Sequence, residues 1–127
     1  MNLEDVFERI GLNNAMDDLG SDGGESFIVL CDRGLMDGSA YCRPQDWESM
    51  LNEFKTNVQQ IRDDRYNAVI HLVTAADGAS EFFGGESNEA RYESIEEAIE
   101  KDKKLRMAYF AHPNWFCIQN QKGYSFD

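Results

Sequence analysis

The stretch "FIVLCDRGLMDG", Phe27 to Gly38, decides how this chain is read. An apolar run, Phe27 to Cys31, passes without a break into Asp32, Arg33 and Gly34. Charge set next to a core costs free energy unless it is paired. At the carboxyl ends of the strands of an open α/β sheet, charge is instead what a ligand site uses. A run that is apolar on both faces predicts a strand in the interior of a parallel sheet. The next question is whether other segments repeat the pattern.

They do. "NAVIHLVTAAD", Asn67 to Asp77, is again unbroken, and again ends on an aspartate followed by glycine. "WFCIQN", Trp115 to Asn120, predicts a third strand. Between them lie helical patterns. Leu3, Val6, Phe7 and Ile10 share a face behind a possible cap at Asn2, and Gly11 can end that helix. Pro44 suits the first turn of a second helix, whose apolar positions Trp47, Met50, Leu51, Phe54, Val58 and Ile61 carry it to about Asp63. Ser94 and Glu97 have the spacing of a capping box. Ile95, Ala98, Ile99, Leu105 and Tyr109 supply the stripe of the helix that follows, and His112-Pro113 stops it. "NNAMDDLGSDGGES" and "GASEFFGGESNEARYE" read as glycine-containing loops. Alternation of helices with continuous apolar strands signals an α/β fold with a parallel sheet. With so few strands and helices the three layers are thin.

The chain has 127 residues, the size of one domain. Its 24 acidic against 12 basic residues give a net charge of -12. That argues against nucleic acid and anionic membrane surfaces as partners, since both need clustered Lys and Arg. The one basic cluster, "KDKK" from Lys101 to Lys104, sits among acidic residues and reads as a solvated helix face. Cys31, Cys42 and Cys117 form no Cys-x-x-Cys pair, so zinc ribbons and redox motifs are excluded. Cys31 and Cys117, inside apolar runs, are expected as small core residues, and reduced thiols fit the cytosol. "MNLEDVFERI" lacks the apolar region of a signal peptide, and no run approaches a membrane span.

Four blocks, "VLCDRGLMDGSAY", "YNAVIHLVTAADGASEFF", "NEARYESIEEA" and "AHPNWFCIQN", together resemble the NadR-like P-loop AAA-type domain, a family that covers ribosylnicotinamide-kinase-like domains and the TRP-channel translocation-defect proteins. The resemblance runs from about Phe27 to Asn120, in order. It implies a single domain of three-layer P-loop NTPase type, similar to small-molecule kinases, that binds ATP or GTP with Mg2+. The chain departs from that pattern in one respect. No glycine begins a Gly-x4-Gly-Lys-Ser/Thr loop. The amides and lysine of that loop cradle the β- and γ-phosphates, and its hydroxyl holds magnesium. Residues 1–127 are therefore expected to be the C-terminal part of the domain, lacking the first strand and the phosphate loop. The origin is a truncated gene model, a splice form or a degenerate paralogue. No tight nucleotide binding is expected of the chain alone. The alternative is a regulatory or interaction module on a degenerate scaffold, meeting a protein partner or itself through an exposed sheet edge.

The resemblance also assigns roles. Asp32 can hold the water shell of magnesium or accept a proton from the acceptor hydroxyl, and Arg33 can pair with a phosphate oxygen. Without the resemblance, Asp32 reads as a turn cap and Arg33 as a surface ion pair. Asp37 reads as a turn aspartate before glycine, or as a second acidic substrate contact. Arg91 and Asn88, with Glu93 beside them, fall where kinases of this kind close a lid over the phosphates, and a solvated loop is the competing reading. His71 is expected as a hydrogen-bonded core histidine, His112 as a helix C-terminal residue, and Trp47 and Trp115 as core. Asp32, Arg33 and Arg91 are expected to converge at the carboxyl ends of the strands.

Overall fold

The computed structural model describes residues 3–9, 28–78 and 94–120. Its centre is a strand–helix–strand unit. Strand β1, Val69–Leu72, pairs in parallel with β2, Trp115–Ile118, with Val69 opposite Trp115 and His71 opposite Cys117. Flanking bonds extend the ladder, from Val69 N to Asn114 O at 2.9 Å and from Val73 N to Ile118 O at 3.0 Å. Parallel neighbours need a crossover, here built on a 15-residue helix, Ile95–Tyr109.

Three α-helices lie among the described residues. Helix α1 is Leu3–Arg9, with Val6 fully buried. Helix α2 is Pro44–Glu53, with Pro44 in its first turn as expected. Helix α3 is Ile95–Tyr109 and opens on the expected capping box: Glu97 N donates to Ser94 Oγ at 3.1 Å, and Ser94 N to Glu97 Oε2 at 3.2 Å. Of its apolar stripe, Ala98 and Tyr109 are buried, while Ile95 stays 40% exposed. A 3-10 turn, Leu35–Ala40, and a π-helical turn, Gln59–Asp64, complete the described elements. Trp47 of α2 is half-buried against Gly38, whose missing Cβ would lie 3.1 Å from the indole ring.

Helix α2 stops ten residues short of the expected end near Asp63. Lys55 takes φ 52°, its N–H returns to Asn52 O, and Thr56 N–H returns to Leu51 O. That pair of bonds is a Schellman termination, formed here on a lysine rather than the usual glycine. Asn57 then accepts Gln60 N–H on its side chain at 2.9 Å and starts the next turn. Short polar side chains compete for backbone groups in this way, and the apolar period across Phe54 to Ile61 does not outweigh them.

The larger correction concerns the opening stretch. Ile28 to Cys31 forms no strand, Val29 and Leu30 are 79% and 80% exposed, and Cys31 is exposed rather than a core residue. Phe27 lies outside the described residues. Among the described residues the sheet has two strands, not three. The physical reason is pairing: an apolar run becomes an interior strand only where neighbouring backbones take its N–H and C=O groups. No ladder reaches this run among the described residues. Among the described residues the layering is one-sided. His71 faces α3, whereas Leu72, on the opposite face by strand alternation, is 59% exposed. The fold is thus α/β with a parallel sheet, as the alternation of elements implied.

Candidate functional site

The turn that follows the exposed run begins with Asp32 and Arg33. Arg33 adopts φ 79°, a left-handed conformation that costs a residue with a Cβ about 1–2 kcal/mol. Gly34 returns to extended backbone and leads into the 3-10 turn, where Asp37 N–H donates to Gly34 O at 3.1 Å.

Two tyrosines hold this turn. Leu35 N–H donates to the Tyr66 hydroxyl at 3.0 Å, and Met36 N–H donates to the Tyr109 hydroxyl at 3.2 Å. Tyr109 in turn donates its hydroxyl proton to Asp37 Oδ1 at 2.6 Å. The other oxygen of Asp37 faces Arg33 Nη1 at 3.7 Å. Gly34 is required by close approach: a Cβ there would collide with the Tyr109 hydroxyl and stand 3.2 Å from that of Tyr66. Buried His112 braces the clasp, with Nε2 donating to Tyr66 O at 2.7 Å and Nδ1 accepting Asn114 N–H at 2.9 Å.

Burial raises the Tyr109 pKa above its ordinary value, and the bond to the Asp37 carboxylate adds to the effect. The sign follows directly. An unfolded tyrosine ionises near pH 10, while Tyr109 in the fold keeps its proton to higher pH. Its contribution to stability is therefore complete below about pH 10 and is lost as pH climbs beyond that value. In an ultraviolet titration, one of the five tyrosines is expected to ionise late, together with unfolding. Tyr109→Phe should remove that late step. A titration in which the variant loses an ordinary early step would show that Tyr109 is not held buried against Asp37.

A second cluster sits at the carboxyl ends of the strands. Asp102 of α3 reaches down with both oxygens, one 3.2 Å from His71 Nε2 and the other accepting Thr74 N–H at 3.1 Å. His71 also stacks on Trp115, with ring centroids 6.4 Å apart, so it is the hydrogen-bonded interior histidine expected. Asn120, just past β2, donates its side-chain amide to Thr74 O at 2.8 Å and Asp77 O at 2.7 Å. Those bonds fix the turn after β1, where Gly78 takes φ 89°.

The two clusters lie toward opposite ends of the sheet. Tyr66 and Tyr109 precede β1 and β2, so the clasp is on the amino-end side, whereas Thr74, Asp77 and Asn120 follow the strands. The expectation placed Asp32 and Arg33 at the carboxyl ends; the contacts of the adjoining turn come from the other side. Asp32 itself is exposed and Arg33 is 71% exposed. Arg91, Asn88 and Glu93 lie outside the described residues, so their meeting with Asp32 is not seen. Asp37 is more than a turn aspartate, because it takes the Tyr109 hydroxyl. Tyr66, Tyr109 and Asp102 were not singled out as site residues. Asp102 had a signal: it stands four residues after Ala98 and three before Leu105, on the buried stripe of α3 rather than on the solvated face of "KDKK". Lys103 and Lys104 of that cluster are exposed and border an open depression with Ser39, Cys42 and Met107.

Among the described residues, no three His, Cys, Asp or Glu side chains gather as a metal set. A single exposed carboxylate such as Asp32 suits water-mediated contact with Mg2+, which keeps most of its waters and takes phosphate oxygens. Among the described residues, no helix is long and apolar enough to cross a membrane.

Comparison with known proteins returns no curated protein and no solved structure that matches. A family model described as an AAA domain matches residues 3–125, nearly the whole chain. That match, on a strand–helix–strand unit with a parallel sheet, places the chain in the AAA domain family of P-loop NTPases.

Proposed function

We propose that the chain is a NadR-like, kinase-related nucleotide-binding domain for ATP or GTP with Mg2+ that has the Asp32–Arg33–Gly34 turn but not the phosphate loop, and that it is inactive on its own. The observation that carries the reading is the Asp32–Asp37 turn. A carboxylate and a guanidinium stand exposed on a backbone that buried Tyr109 and half-buried Tyr66 hold in place. In this reading Asp32 contacts the magnesium water shell or takes the acceptor's proton, and Arg33 pairs with a phosphate oxygen. Arg91 and Asn88 are the lid contacts to the same phosphates. Free thiols at Cys31, Cys42 and Cys117 suit a cytosolic setting.

Weak binding follows from what the 127 residues contain. They hold no Gly-x4-Gly-Lys-Ser/Thr loop, and a net charge of -12 repels a triphosphate. Calorimetric titration with Mg-ATP and Mg-GTP should show no saturation in the micromolar range. Micromolar affinity would place the phosphate site somewhere other than this turn.

A second reading draws on Val29 and Leu30, apolar and largely in solvent, and on a two-stranded sheet whose outer edges are unpaired among the described residues. It makes the chain a regulatory or interaction module that pairs with a protein partner or with itself. Concentration-independent monomer in analytical ultracentrifugation would count against self-association.

A further inference from the structure

We infer that Tyr66 and Tyr109 are positioning residues, which hold Arg33 in its left-handed conformation and so aim its guanidinium at an anionic phosphate group. The inference rests on the reading that the Asp32–Arg33 turn faces phosphate. A strained backbone persists only where its surroundings over-determine it, and such residues gather at binding sites. Arg33 is strained at φ 79°, and it is exposed, so its own side-chain packing does not hold it there.

What holds it lies immediately downstream. The two N–H groups nearest the strained residue on that side, beyond Gly34, are those of Leu35 and Met36. Each is taken by a tyrosine hydroxyl rather than by the backbone. The Tyr109 hydroxyl is used twice: it accepts from Met36 and donates to Asp37. Asp37 then presents its second oxygen to Arg33 from within the same turn. Gly34 lets both rings come close enough to do this. The clasp is anchored in structure that the turn does not contribute. Tyr109 is the buried last residue of α3, and the carbonyl of Tyr66 is bonded to buried His112. The Arg33–Asp37 contact is loose at 3.7 Å and its Arg33 half is exposed, so a phosphate can replace Asp37 on the guanidinium without breaking the clasp behind it.

The test is nuclear magnetic resonance of the full chain with Mg-ATP at millimolar concentration, comparing wild type, Tyr109→Phe and Tyr66→Phe. Wild type should show the strong intraresidue HN–Hα Overhauser effect of positive φ at Arg33, and a side-chain Nε–Hε shift on titration. In Tyr109→Phe the effect should weaken, and half-saturation should rise about tenfold, the loss expected for one hydrogen bond. Tyr66→Phe should act in the same direction, and it covers the case in which the buried Tyr109 variant fails to fold. Unchanged Arg33 signals and half-saturation in a folded variant would overturn the positioning role while leaving the phosphate reading intact. No Arg33 shift in wild type would overturn the phosphate reading and the positioning role with it.

Discussion

Given Mg-ATP or Mg-GTP and a panel of nucleoside and sugar acceptors, the chain is expected to transfer no phosphate above background. Phosphoryl transfer rests almost wholly on positioning and on electrostatic stabilisation of the equatorial oxygens. Arg33 offers one guanidinium and Asp32 one carboxylate, both exposed. No Gly-x4-Gly-Lys-Ser/Thr sequence, the usual source of an amide cradle and a phosphate-binding lysine, occurs among the 127 residues. Loss of one preorganised donor costs about 10²–10³ in rate, and here several are missing. Turnover should therefore fall at least about 10⁴-fold below the 1–100 s⁻¹ usual for kinases. The measurement is radiolabel transfer over hours, with Arg33→Ala as the comparison. Sustained turnover on the scale of seconds that Arg33→Ala abolishes would refute inactivity and prove the site. Turnover that Arg33→Ala leaves untouched would refute both.

The strand–helix–strand unit was legible because each of its parts carries a local signal. Ser94 and Glu97 cap by contacts within one turn, and "VIHL" and "WFCI" are short β-branched or aromatic runs between breakers. "FIVLC" carries the same signal, yet its described part, Ile28 to Cys31, forms no strand, since a strand is completed by a neighbour that lies far off in sequence. The period of α2 ran past Glu53 for a related reason. Apolar spacing at Phe54, Val58 and Ile61 says where side chains point, not whether Thr56 and Asn57 will capture backbone groups first.

The candidate site was half legible. Asp32, Arg33 and Gly34 stand out in the sequence, because charge and glycine at the end of an apolar run are unusual. Their supports do not stand out. Tyr66 and Tyr109 lie 31 and 73 residues from the N–H groups they accept, and nothing in the local pattern marks a tyrosine hydroxyl as a backbone acceptor. Asp102 was hidden by its neighbours. A run of lysines suggests a wet face, yet the helical period puts that one carboxylate inside.

Asp102→Ala is accordingly expected to cost about 3 kcal/mol of stability, although the residue touches no proposed ligand. Its two oxygens satisfy Thr74 N–H and His71 Nε2, and the side chains of Asp102 and His71 are only 11% and 10% exposed. Alanine would leave both partners without that acceptor in a place water reaches poorly, at about 1–3 kcal/mol for each unsatisfied group. The described core is small, with Val6, Met36, Val73, Ala76, Ala98 and Tyr109 its buried apolar members. Against the 5–15 kcal/mol typical of whole domains, a loss of about 3 is large. Asp102→Asn keeps an acceptor for Thr74 and should cost about half as much. Urea unfolding followed by tryptophan fluorescence reads the difference, since Trp115 stacks on His71. Hydrogen exchange locates it: the Thr74 amide should lose protection in the alanine variant and keep most of it in the asparagine one. A fall of less than about 1 kcal/mol in Asp102→Ala, with Thr74 still protected, would mean that α3 is held to β1 by packing of Ala98 and its neighbours rather than by this carboxylate.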